Sequence, residues 1–196
     1  MKITAMTMLA AMAGVMAQAG GAGQAADKRV TVCVESGVGL GVVLRAQQTA
    51  SKMFAWIGVT IDWRRHCPAQ GILISLSDHT PAERLPHALA YALPYEGTHI
   101  VIFYDRVHRA VEPDLLPCLL AHVLVHEITH ILQGIGRHSG QGVMKANWDG
   151  PDHLAMRGKP LAFAPEDIDL IYLGLAGRAA QAIMAVNSTA PTVAAQ

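Results

Sequence analysis

Charge is scarce in this chain. Only 15% of its 196 residues are Asp, Glu, Lys or Arg, and 15 basic side chains balance 15 acidic ones. No basic block stands out, so the electrostatic footprint of a nucleic-acid binder is missing and nucleic acid is not an expected partner. Cysteine is scarce too. Cys33, Cys67 and Cys118 make an odd number, so a monomer keeps at least one free thiol. Cys33 and Cys67 are one available pair if the chain is exported. Cys118 lies in an apolar stretch and reads as a small core residue. No internal repeat divides the chain, and its length suits a single domain. What is abundant is apolar side chain, at 52%, enough to build a real core.

Part of that bias lies at the ends. Lys2 precedes a largely apolar run from Ile3 to Met16, and Ala17-Gln18-Ala19 has the small-x-small form of a cleavage site. Residues 1–19 therefore read as a secretory signal, with cleavage possible as late as residue 26. The run is shorter than the roughly 20 apolar residues of a bilayer span. No cysteine near the cleavage site suggests a lipid anchor, and no later segment reads as a span. The expectation is an exported protein, periplasmic or secreted, with no stable membrane insertion after signal cleavage, working as a monomer. Residues 27–178 form the domain, and the Ala-, Thr- and Val-rich stretch 179–196 reads as a flexible tail.

The β-branched segment from Arg29 to Ser36 predicts a strand. From Val42 to Gly58, apolar residues at Val43, Ala46, Ala50, Met53, Phe54 and Ile57 predict a helix, with Gly58 as its stop. Strands follow at Val59–Arg65 and Gly71–Asp78. Two more are expected, one before Pro94 and one over His99–Tyr104; Pro94 suits an edge strand. The apolar run from Leu115 to Leu132 is too long for a strand and predicts a buried helix, with Pro117 in its first turn and Gly134 after its end. A glycine-rich loop covers residues 134–142, and a last helix covers Phe163–Gly177. The fold class is α+β, a mixed α/β layer. It is a twisted, mostly parallel sheet of four to five strands packed on two helices, with a helical C-terminal part.

The chemistry sits in the long helix. His126 and His130 are four residues apart, so a helix points both imidazoles to one side. Glu127 is offset, able to reach a water on a shared metal without ligating it, which is the mechanical content of the HExxH pattern. Neutral imidazoles suit Zn²⁺. His122 lies one turn earlier on roughly the same face. At about 1.5 Å rise per residue, His122 and His130 stand some 12 Å apart, too far to share an ion. His122 is read as a packing or supporting residue. The third ligand must come from outside the helix. Gly134 and Gly136 let the chain turn back, which makes His138 the best candidate, ahead of His153, His99 and His108.

The segment His126, Glu127, His130, Gly134, His138, Ser139, Met144 resembles the metzincin zinc peptidases, and among them the matrixin-like members. The resemblance is specific over about twenty residues. It implies that three histidines bind one catalytic zinc, that Glu127 is the general base, and that Met144 lies in a tight turn beneath the metal. It also implies that the edge strand before Pro94 binds a peptide or protein substrate, and that the helix from Pro165 matches the family's C-terminal helix. The family's glycine usually comes three residues after the second His and its third His six after; here the offsets are four and eight, so the turn is larger. Tyr95 and Trp148 are candidates to shape the cleft, although packing explains them equally well.

Three protein ligands leave an open position, as a catalytic site requires. The reading is an exported zinc metalloendopeptidase. The alternative is an exported module with a structural zinc and no peptidase activity, in which Asp149 or Asp152 closes the fourth position. A metal-free exported interaction domain is a third class.

Overall fold

The computed structural model describes residues 28–37, 39–80 and 87–188. The signal reading of 1–19 and the last eight residues of the tail lie outside the described residues. The strands are β1 (Arg29–Ser36), β2 (Thr60–Arg64), β3 (Ile72–Ser77), β4 (Ala90–Ala92) and β5 (His99–Phe103). They form one sheet in the order β2-β1-β3-β5-β4, parallel except for the antiparallel edge pair β4–β5. The expected sheet of four to five mostly parallel strands is thus present. β3 shows the driving force plainly. Ile72, Ile74 and Leu76 are buried while their neighbours are half-exposed, the period-2 alternation of a strand with one core face.

Two helices make the core with this sheet. The first, α1 (Leu40–Ala55), buries Val43, Ala46, Ala50, Met53 and Phe54, the stripe that its apolar spacing predicts. A short helix, α2 (Tyr104–Ala110), follows β5 directly, and α3 (Leu116–Gln133) follows that. From Leu119 to Gln133 every residue of α3 is buried. By length and composition α3 and the Pro165–Ala185 part of the last helix could each cross a bilayer, against the sequence reading; but α3 is 89% buried as a core helix, whereas Pro165–Ala185 is 6% buried.

Besides α2, which the sequence reading does not contain and which takes up Tyr104, expected as the end of a strand, two further helices depart from it. The first, α4 (Gly150–Gly158), is missing from it. Asp149 and Asp152 form a capping box there, each side chain accepting the other's backbone N–H. The second, α5 (Pro165–Ser188), passes Gly177 and turns residues 179–188, expected as loose tail, into helix. Ala179, Ala180, Ala182 and Ala185 carry high helix propensity, which outweighs the interior glycines Gly174 and Gly177. The middle of α5 is tied down: Arg178 donates to the Gly97 and Gln70 carbonyls at 2.8 and 2.9 Å, and the Tyr172 hydroxyl donates to the Ile57 carbonyl. Cys33, 1% exposed in β1, is disulfide-bonded to Cys67 in the β2–β3 connection, with Cα atoms 5.6 Å apart. Cys118 is a free thiol, half-buried.

Candidate metal centre

A helix buried all round leaves no solvent for its polar side chains, so each needs an internal partner. On α3 these are His122, His126, Glu127, Thr129, His130 and Gln133. Thr129 donates back to the Val125 carbonyl at 2.7 Å. The two histidines of the motif find partners beyond the helix. Nδ1 of His126 is 2.9 Å from the Val143 carbonyl oxygen, and Nδ1 of His130 is 3.1 Å from that of Ile135. A carbonyl can only accept, so both rings carry their proton on Nδ1. The second contact depends on Gly134, whose φ of +68° ends the helix in a left-handed turn and folds Ile135 back.

Both Nε2 atoms are then unprotonated, and they stand 3.0 Å apart. Protonating either ring would relieve the clash of lone pairs, but burial opposes it: it pulls His126 down to about 4 and His130 below the ordinary histidine value. His138 completes the set. One ligand atom from each of His126, His130 and His138 lies within 4.8 Å of the others. Their ring centroids form a near-equilateral triangle with sides of 4.7, 5.2 and 5.0 Å. Three neutral imidazoles with converging lone pairs form a donor set for a divalent cation of the zinc type. The wider spacing to His138 therefore does not keep it from the other two.

The loop that carries His138 is held by a buried carboxylate. Asp167, in the first turn of α5, is fully buried. It accepts from the Ser139 hydroxyl at 2.7 and 2.8 Å and from the Arg137 guanidinium at 2.9 Å. Ser139 N–H also donates to the Met144 carbonyl at 2.8 Å. Met144 is fully buried and ends a 3₁₀ turn, Gly142–Met144. The residues on either side of His138 are thus pinned to α5 while the imidazole itself stays exposed.

A cleft of about 530 Å³ opens over the histidines. Its walls include β4 and Pro94 on one side, and Lys145, Trp148 and His153 on the other. Glu127 lines it, 7% exposed, and burial pushes its carboxyl up to about 8 in the metal-free protein. Trp148 meets His126 edge-on, with centroids 5.6 Å apart.

Other candidates fall elsewhere. Tyr95 is 91% exposed and outside the cleft, because it occupies the tip of the turn closed by Gly97 N–H on the Leu93 carbonyl. His99 pairs with Glu96, and His108 is exposed on α2. His153 lines the cleft without joining the cluster. Asp149 and Asp152 cap α4 and pair with Lys145, so neither closes a fourth position. The sequence reading misses Arg137 and Asp167 as site residues. Asp167 is visible there only as an acidic residue at a helix start, with no sign of its partners.

No family model and no curated protein matches the chain. Among solved structures, archaemetzincin from Methanopyrus kandleri superposes with a TM-score of 0.54 at 16% sequence identity, covering 76% of this chain and 97% of that one. At that identity the likeness is one of fold.

Proposed function

We propose that the chain is an exported, zinc-dependent endopeptidase of metzincin type. The observation that carries the reading is the pair of facing Nε2 lone pairs of His126 and His130, joined by His138, on the floor of an open cleft. The fold shared with archaemetzincin supports it. The Cys33–Cys67 disulfide supports export, since such bonds persist in oxidising compartments.

His126, His130 and His138 would hold the ion. Zinc bound there supplies Lewis acidity and makes hydroxide available near neutral pH. Glu127 takes the proton of the attacking water and delivers it to the leaving amine. Its carboxyl is held protonated in the metal-free protein; a neighbouring dication favours the carboxylate, the form a general base needs. β4 is an edge strand that borders the cleft, so an extended peptide can pair with its free backbone groups. The matrixin-like assignment stays with the motif and its Ser139 and Met144. The structural-zinc alternative loses Asp149 and Asp152 as closing ligands, because both are engaged with α4 and Lys145.

The test is a peptide library incubated with zinc-loaded protein, with Glu127→Gln as the control. Cleavage by the wild type and none by the variant is the expected result. Equal background from both would leave a zinc-binding module.

A further inference from the structure

His122 is the fully buried ionisable side chain of α3 that the proposed reaction does not use. It is 0% exposed, and both ring nitrogens are engaged. Nδ1 lies 2.7 Å from the Cys118 carbonyl oxygen, so it is the donor. Nε2 is therefore unprotonated, and it accepts from Leu161 N–H at 3.0 Å. Burial holds the ring below the ordinary histidine value, in the neutral form this arrangement needs.

Leu161 is joined to Ala162, and the Ala162 carbonyl accepts from Val143 N–H at 2.9 Å. The Val143 carbonyl in turn accepts from Nδ1 of His126. The approach is tight. Gly142 has φ of +73°, and a Cβ there would run into the Ala162 carbonyl oxygen. A side contact spans the same pair, because Trp148 meets both His122 and His126 edge-on.

We infer that His122 is a positioning residue for His126, acting through the 161–162 strap and the Val143 carbonyl to fix which nitrogen of His126 faces the cleft. The relay runs His122 Nε2, Leu161 N–H, Ala162 carbonyl, Val143 N–H, Val143 carbonyl, His126 Nδ1–H. No covalent or redox step is involved. A partner that orients a metal ligand in this way sets affinity as well as geometry. The role of His126 rests on the metallopeptidase reading; the way it is held rests on the hydrogen bonds alone.

Two variants strike the same bond from opposite ends. His122→Leu removes the acceptor and Leu161→Pro removes the donor, while His122→Gln restores an acceptor. Each full-length protein is stripped of metal, and its imidazoles are followed by long-range ¹H–¹⁵N correlation. Zinc affinity is then titrated with the metal alone. The wild type shows a single Nδ1–H tautomer at His126. His122→Leu and Leu161→Pro show mixed tautomers and bind zinc roughly 10- to 100-fold more weakly, and His122→Gln recovers most of the loss. Should His122→Leu fail to fold, Leu161→Pro and His122→Gln still decide the matter. A single tautomer and wild-type zinc affinity in the folded disruptive variants would overturn the inference. A wild type with the single tautomer but no zinc affinity would sink the metallopeptidase reading and leave the positioning role intact.

Discussion

The chain holds its two halves by different means. From Arg29 to Gln133, burial does the work: β1, β3 and β5 set Val32, Ile74 and Ile102 against α1 and α3, all at 0% exposure. From Gly134 to Asp167 the principal ties are polar. Backbone carbonyls of Ile135, Val143, Met144 and Ala162 and the carboxylate of Asp167 accept the bonds that place the loop. Each such bond contributes about 1 kcal/mol, against about 2–5 kcal/mol for a large core side chain cut back to alanine. The layer can therefore stay folded while the ligand geometry is dismantled, and the metal site is the softer part.

The sharpest break in the polar half is chemical. Glu127→Gln should lower peptide cleavage by roughly 10²–10⁴-fold, measured as turnover of a zinc-loaded sample, with zinc content unchanged. In the apolar half, Ile74→Ala removes a fully buried side chain of β3 and should cost about 2–5 kcal/mol in urea unfolding, while each folded molecule keeps its zinc. Asp167→Ala does the reverse. It strands the Ser139 hydroxyl and the half-exposed Arg137, costs about 1–3 kcal/mol, and weakens zinc binding in a calorimetric titration.

A pH series sharpens the contrast without touching the core. Glu127 is held protonated up to about 8 in the metal-free fold, against an ordinary value of 4.5. Between those values this carboxyl binds more protons in the native state than in the unfolded one, so its contribution to metal-free stability falls as pH rises; below 6.5, the ordinary histidine value, the depressed His126 acts in the opposite sense, so the fall is read above that pH. Glu127→Gln should flatten that slope, read as thermal midpoint against pH. Met144→Leu should do least: a near volume-conserving change at a buried site costs under about 1.5 kcal/mol and keeps most of the zinc by elemental analysis.

The same division governs what the sequence could reveal. Period-2 alternation in β3 and helical spacing in α1 are consequences of burial, and burial leaves a pattern in the residues themselves. His126, Glu127 and His130 were legible because one helix sets their spacing. His138 needed only a turn, which Gly134 and Gly136 announce. Asp167, Arg137 and the Leu161–Ala162 strap were not legible, because their partners lie in other segments and backbone carbonyls carry no sequence signature. Tyr95 misled for a related reason: it adjoins Pro94, which lines the cleft, but the turn aims it outward. The helix α4 could have been found from the Asp149–Asp152 spacing with Pro151 between them.

The central claim is that three histidines from a buried helix and a pinned loop hold one catalytic zinc. Elemental analysis of the purified protein, wild type beside His138→Ala, tests it most directly. The account predicts one zinc per wild-type chain and a large loss in the variant. A folded wild type that takes up no metal after reloading with zinc would contradict it.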